Sequence, residues 1–422
     1  MDMAGTARAE LVVLTGGTTP AAAAGVERVI AWMRGREPRT AVLHHDLAEV
    51  TQGVVRRRLR LGGSDRTTVL ELAHGCVSCT LREDVLPTLR ELGRDPGVSR
   101  IVLHLDAALE PEPVCDAILR VVVDGAPVTD SVTVRGVVTV LDIGNWLDDA
   151  TSSDEITDHG LSTLPDDERT MAQLVVGQAE FADLIVYAGV AEDWLAARTS
   201  AVLHRLAPLA RRIPVGHLDD RVLLTDLPAA ARQGRPESPH AALLRGQPPL
   251  DDCAGVRLLV FSHRRPFHPD RLHDAIDVLL DGVVRTRGRV WLATRPEAVI
   301  WVESAGGGLQ LGYAGDWLAA GDALAWRDAD PERHAQAALR WHPRWGDRAQ
   351  DLSILVHEAD PGRIEAALHG ALLTERELAA GETEWRNYPD PFGFWHTDPC
   401  SELTDVTPAQ VIDIYGAEEG PS

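Results

Sequence analysis

The sequence predicts a doubly wound, mostly parallel α/β domain over about residues 8–227, with a second domain over about residues 253–400 and a tail at 401–422. Three observations predict it. Short apolar runs alternate with helical patterns through the first half, as βαβ units require. Pro228 to Asp252 is rich in Pro, Ala, Arg and Gly, the composition of an interdomain linker. At 422 residues, 45% of them apolar, the chain is long enough for two cores.

The first strand is Leu11 to Leu14. Thr15, Gly16 and Gly17 follow at once, then a helical pattern through Val26, Val29, Ile30 and Met33. Strand, turn and helix in that order are the setting of a phosphate-binding loop. Such a loop needs G-x-x-x-x-G-K-[ST]: glycines let backbone amides approach the phosphates, lysine neutralises them and the hydroxyl holds Mg²⁺. Laid on that template from Gly16, the second glycine position holds Ala21, the lysine position Ala22 and the hydroxyl position Ala23. No lysine from elsewhere substitutes, because all 41 basic residues are arginine. Gly16, Gly17, Thr18 and Thr19 therefore form a degenerate loop, and a plain strand-to-helix turn is the first reading of it.

Ala41 to Leu43 is a second strand, ending at His44, His45 and Asp46. Three adjacent arginines and a fourth, Arg56, Arg57, Arg58 and Arg60, have the character of a solvated face. Thr67 to Leu72, with Val69, Leu70 and Leu72 apolar, is expected to enter a core until Gly75 breaks it. Cys76 and Cys79 come next. Leu81, Val85 and Leu89 recur at helical spacing, and Thr80 with Glu83 makes a capping box, which predicts a helix from Leu81. The cysteines would then lie against the unpaired amides of a helix start, where thiolate is favoured over thiol. Thiolate is the form that binds zinc. A single C-x-x-C is open to three readings, metal binding, packing and redox chemistry. For the metal, His74 is a candidate to join Cys76 and Cys79.

Composition excludes some classes. The net charge of −23 opposes direct binding to a nucleic-acid backbone, whose affinity comes from Lys and Arg on phosphates. No run approaches the roughly 18 uncharged residues of a membrane span, and no basic patch precedes an apolar segment at the start, so a cytoplasmic protein is expected. Five cysteines, an odd and scattered set, make no disulfide framework.

Gly75-Cys76-Val77-Ser78-Cys79-Thr80-Leu81-Arg82-Glu83-Asp84 resembles the G-C-x-C-C-x-L-R-x-D turn of CobW-type P-loop GTPases, with Ser78 in place of the middle cysteine. Against that family, Asp46 stands where a glutamate is implicated in metal or switch function. His104-Leu105-Asp106-Ala107 stands where a switch glycine would meet the γ-phosphate. Val137 to Leu141, closed by Asp142, and Gln173 to Val186 are similar to further framework segments. The base-reading asparagine and aspartate are replaced by Tyr187-Ala188-Gly189-Val190-Ala191.

The second domain resembles the CobW C-terminal domain. The likeness runs through Arg265-Pro266-Phe267-His268-Pro269-Asp270-Arg271-Leu272, Gly282 to Gly288 with Trp291 to Arg295, Gly346 to Gln350, the strand Leu352 to Val356, the helix Pro361 to Leu373 and Pro389-Asp390-Pro391-Phe392. His263, His268, His342 and His396 are read as surface or packing residues before metal carriers.

The resemblance implies a P-loop NTPase-type first domain, a smaller α+β second domain and zinc as the metal, with GTP and Mg²⁺ in question. It implies three competing functions. The first is a zinc-homeostasis adaptor under metal limitation, with a zinc-dependent or ribosome-associated protein as partner, since one branch of the family recruits a hibernation factor to ribosomes. The second is a GTP-dependent zinc metallochaperone, and the third a cobalamin-related protein.

Overall fold

The computed structural model describes residues 8–72, 76–161, 167–218, 227–393 and 410–412. The chain divides into two compact units, residues 1–236 and 237–422. Among the described residues no helix is long and apolar enough to cross a membrane.

In the first unit the elements are β1 (Ala9–Gly16), α1 (Pro20–Arg36), β2 (Thr40–Asp46), β3 (Val54–Leu61), β4 (Ser64–Glu71), α2 (Val77–Thr80), α3 (Leu86–Arg94), β5 (Arg100–His104), α4 (Pro111–Arg120), β6 (Val122–Val123), β7 (Ala126–Pro127), β8 (Val132–Asp142), α5 (Trp146–Asp149), α6 (Met171–Glu180), β9 (Leu184–Ala188), α7 (Asp193–Leu206) and β10 (Arg211–Pro214). Its main sheet has eight strands in the order β10-β9-β8-β1-β5-β2-β3-β4. The six from β10 to β2 run parallel, and β3 and β4 add an antiparallel hairpin at one edge.

Both faces of β1 are covered, which explains its unbroken apolar run. Leu11 and Val13 pack towards Leu86, Leu89 and Ile118 of α3 and α4. Val12 and Leu14, pointing the other way, pack against Val26, Ile30 and Met33 of α1. The turn after β1 needs glycine. Gly16 has φ of +108°, and a Cβ there would lie 2.0 Å from the Val140 carbonyl oxygen of β8.

The second unit comprises β11 (Arg257–His263), α8 (Pro269–Asp274), α9 (Ile276–Leu280), β12 (Val283–Val290), β13 (Ala298–Ala305), β14 (Gly308–Asp316), α10 (Ala323–Asp328), α11 (Pro331–Leu339), β15 (Gln350–Val356), α12 (Pro361–Ala371), α13 (Glu375–Ala380), α14 (Glu382–Trp385) and β16 (Gln410–Ile412). Its sheet, β11-β15-β12-β13-β14-β16, is antiparallel throughout. Leu272, Leu279, Ile364 and Leu368 from the helices fill one core with the sheet, and Trp291, Trp317 and Trp385 build a second. Buried Asp351 on β15 holds Arg289 of β12 at 2.5 Å and also receives Arg340. Pairing that carboxylate from both sides offsets part of the penalty of burying it.

Two expectations need correction. The helix after the cysteines starts at Val77 rather than Leu81, because Cys76 is its N-cap, with Sγ accepting from the Cys79 amide at 3.3 Å. The Thr80 hydroxyl donates to the Cys76 carbonyl instead of capping, and Leu81–Val85 is a π-helical turn. Cys79 therefore lies inside the first helical turn and not ahead of it. Nor does the strand at Thr67 to Leu72 enter a core. It is the edge strand β4, and Val69 is 59% exposed. Leu70 and Leu72 alone pack, against a small cluster of Leu47, Val50 and Val55.

Gly16→Ala is expected to destabilise the first unit by about 2 kcal/mol or more, from strained backbone and a collision with a β-strand carbonyl. Chemical denaturation of the purified variant checks this, and an unchanged midpoint would contradict the geometry.

Candidate functional site

The carboxyl ends of β1, β2 and β5 surround a cleft of about 320 Å³, lined by Gly16, Gly17, Ala23, Val26, Glu27, His44, Ala48, His104, Asp106, Ala107, Gly160 and Leu161. In an open parallel sheet this crevice is where ligands bind. What this chain places there decides what the crevice accepts.

A phosphate is held at such a place by free amides at the start of the following helix. Here α1 bonds two of its first amides itself. Pro20, its first residue, has no N–H. The Ala22 amide donates to the Thr19 hydroxyl oxygen at 3.2 Å, and the Ala23 amide to the Thr19 carbonyl at 2.9 Å. The same Thr19 hydroxyl donates to Asp142 Oδ2 at 3.0 Å, while Asp142 Oδ1 accepts from the Gly144 amide at 3.1 Å. Gly16 and Gly17 line the cleft with φ of +108° and +96°, Thr19 is committed to capping, and Thr18 lies in the turn between β1 and α1. Ala22 is buried and Ala23 exposed where a cation and a hydroxyl would be needed.

The other walls offer no cationic replacement. Arg60 turns both guanidinium nitrogens onto Glu27, at 2.8 and 3.3 Å. Asp106 takes the Leu47 and Ala108 amides, each at 3.0 Å. His44 and His104 stack with ring centroids 4.3 Å apart, and the His44 Nδ1 lies 3.0 Å from the His104 carbonyl, so Nδ1–H donates there. Burial first, then His44 and Arg60, push His104 from 6.5 down to about 3, so it stays neutral. At the end of β9, where a base reader is expected, Gly189 packs against the Asp142 carboxylate and Val190 is 90% exposed. A nucleoside triphosphate with Mg²⁺ does not fit this set of residues.

The cysteine turn sits beside this crevice in sequence and is tied to it in space. A cavity of about 20 Å³ lies under α2, lined by His45, Leu47, Val77, Thr80, His104 and Asp106 among others. His45 Nε2 is 2.7 Å from Asp84 Oδ2, and Arg57 donates to Asp84 Oδ1 at 2.7 Å and to Thr88 at 3.2 Å. This His-Asp-Arg clasp locks the helical segment that follows the cysteines onto β2 and β3. It went unread in the sequence, since its members are 12 and 27 residues apart and only the sheet register of β2 on β3 unites them.

Cys76 and Cys79 are both half-buried and reduced. Asp46 closes β2 opposite Arg56, with Oδ1 accepting from the Ala48 amide at 3.0 Å. His74 lies outside the described residues. Among the described residues no group of three or more His, Cys, Asp or Glu is arranged to hold a metal. The histidines of the second unit are dispersed: His263 and His369 meet edge to face at 5.9 Å, His268 stacks on Tyr388, and His342 accepts from the Arg344 amide. His396 lies outside the described residues. The four arginines of β3 are paired rather than simply solvated, with Arg56 on Glu49 and Arg58 on Asp65.

A family profile described as CobW/HypB/UreG, nucleotide-binding domain, matches residues 26–210, and one described as Cobalamin synthesis protein cobW C-terminal domain matches 256–372. A protein of Mycobacterium tuberculosis named as a zinc chaperone is 48% identical over 80% of this chain and 82% of its own length. The zinc-regulated GTPase metalloprotein activator 1 of Dictyostelium discoideum is 25% identical over 83% of this chain and 77% of its own. The Zn(II)-bound YjiA GTPase from E. coli is 13% identical, covering 87% of this chain and 100% of that one, at a TM-score of 0.36, a likeness too slight to carry weight.

Two outcomes are expected. Because the folded pKa of His104 is depressed, its contribution to stability is present above 6.5 and is lost as pH falls from there towards about 3. Melting temperature should fall less steeply below pH 6.5 in His104→Gln than in the wild type, and parallel profiles would refute the assignment. Calorimetry with GTP and Mg²⁺ should show neither tight binding nor turnover, since losing one such charge-stabilising contact already costs about 10²-fold or more. Micromolar affinity with Mg²⁺-dependent hydrolysis would overturn the closed cradle.

Proposed function

This chain belongs to the CobW family, with both its nucleotide-binding domain and its C-terminal domain, and from that premise we propose that it is a zinc-homeostasis protein acting as a non-enzymatic adaptor under zinc limitation. The observation that carries the reading is the α1 start: Thr19, Ala22 and Asp142 satisfy one another where a phosphate would otherwise be held. A scaffold that keeps its framework without phosphate chemistry retains surface, charge and shape, which suffice for binding.

Zinc enters as cargo or signal. Cys76 and Cys79 supply two thiolates, the ligands zinc favours, and Asp46 and His74 are the groups that would complete the set. Two sulfurs in place of the family's three make for modest affinity that weakens at low pH, since the ligands must deprotonate. Metal occupancy biases the adaptor only if zinc binds its two conformations unequally.

The partner is a ribosome-associated protein, with a hibernation factor the specific case. A net charge of −23 steers a basic partner inward at low salt. The zinc-chaperone name of the mycobacterial relative favours a second reading, a GTP-dependent zinc metallochaperone.

Tagged protein is expected in the ribosomal fractions of a sucrose gradient from zinc-starved cells and absent from them after zinc repletion. The Cys76→Ser/Cys79→Ser double variant should bind less zinc and lose that response. Equal absence from ribosomes in both conditions would leave the metallochaperone, and unchanged zinc stoichiometry in the double variant would remove the cysteine site.

A further inference from the structure

We infer that the outer edge of β4 is a docking strand, taking an extended, basic-flanked segment of a partner protein by antiparallel strand addition.

The geometry begins with the hairpin. β3 and β4 are joined by Gly62 and Gly63, with Leu61 opposite Ser64. Across so short a loop that closing pair must exchange both backbone hydrogen bonds, and from there hydrogen-bonded and open pairs alternate along the strands. Ser64, Arg66, Thr68 and Leu70 thus spend their N–H and C=O groups on β3. The same alternation accounts for the Leu72 amide reaching the Gly53 carbonyl at 2.8 Å. Asp65, Thr67, Val69 and Glu71 are left with theirs pointing away from the sheet.

No strand lies beyond them, since β4 ends the sheet order among the described residues. All four outward residues are exposed. The opposite edge of the same sheet is built differently: β10 has four residues and ends in Pro214, and short, proline-ended edges resist pairing. β4 has eight residues, no proline and no bulge in its register. It offers a full-length template for a further strand.

The side chains choose the occupant. A second copy of this chain would have to set outward residues against outward residues. The register with the fullest overlap then places Asp65, already held by Arg58, opposite Glu71 at both ends, so each Glu71 meets a carboxylate and no free cation. An incoming strand with arginine or lysine opposite Glu71, and β-branched residues opposite Thr67 and Val69, supplies the cation that self-pairing lacks, while Asp65 keeps its fork to Arg58. β4 leads through residues 72–75 into the cysteine pair, so a strand bound here lies next in sequence to the zinc-responsive turn. Only the source of that segment rests on the adaptor reading; the edge and its chemistry do not.

The test uses full-length protein and a fluorescent, blocked peptide of sequence Arg-Thr-Val-Thr-Val-Thr-Arg, followed by anisotropy. Saturable binding is expected, weakened about tenfold or more by Val69→Pro, which deletes an outward N–H and no bond to β3. Thr68→Pro, which deletes an inward one, should lower the melting temperature instead. Glu71→Arg should weaken this peptide and strengthen one with glutamate in place of its arginines, which keeps the test valid should Val69→Pro fold poorly. No binding, or equal binding by Val69→Pro and Glu71→Arg, overturns the proposal. So does self-association of the protein alone that Val69→Pro abolishes, since it gives the edge to a second copy. Peptide binding without ribosomal association supports the edge while refuting the adaptor. Ribosomal association without peptide binding does the reverse.

Discussion

One hydroxyl holds the first domain in the state described. Thr19 Oγ1 accepts from the Ala22 amide and donates to Asp142, so it caps α1 and ties the turn after β1 to the end of β8. A helix start leaves several amides without partners, and a buried or half-buried start must find acceptors for them. In a phosphate-binding domain the ligand is such an acceptor; here the chain supplies its own. Gly189 then lies against the Asp142 carboxylate from the neighbouring strand end. With α1 anchored, Val26, Ile30 and Met33 stay seated on Val12 and Leu14, and the parallel sheet keeps both faces dry.

A second constraint is charge. This chain balances 64 acidic residues with 41 arginines and no lysine. Arginine pairs through a planar fork, which suits the fixed geometries of a sheet. On β3, Arg57 clasps Asp84 beside His45, Arg58 forks onto Asp65 and Arg60 onto Glu27. Exposed pairs of this kind add little stability each. Their consequence is positional: the Asp84 clasp fixes where the cysteine helix lies, and Arg60 is committed to Glu27 of the cleft wall. In the second domain Asp351 gathers Arg289 and Arg340 in the same manner, within a buried setting.

These arrangements divide the first domain into a closed end and an open one. The crevice of about 320 Å³ is walled by internally bonded polar groups, a stacked imidazole pair and small side chains. The β3–β4 hairpin, by contrast, projects a long strand whose outward backbone groups are unspent. Binding through backbone and side-chain pairing needs no metal-bound phosphate.

By itself the sequence determined the mostly parallel α/β class of the first domain. Apolar runs at Leu11 to Leu14 and Ala41 to Leu43 mark strands buried on two faces, and such runs depend on local chemistry alone. It also showed that Ala22 and Ala23 stand where a phosphate-binding loop needs lysine and a hydroxyl, groups that alanine supplies in no fold. The start of the cysteine helix was misplaced because Thr80 and Glu83 satisfy a local capping pattern, while a cysteine at position 76 took the cap and the carbonyl that Thr80 bonds. Thr67 to Leu72 carried enough apolar residues for a core strand, yet burial depends on what packs above, and at that edge only Leu70 and Leu72 meet a small cluster. The Thr19–Asp142 bond spans 123 residues, the His45–Asp84 contact 39 and the Arg289–Asp351 pair 62. Only the tertiary structure decided these, because such pairs are made by strand order and register, which no local stretch of sequence encodes.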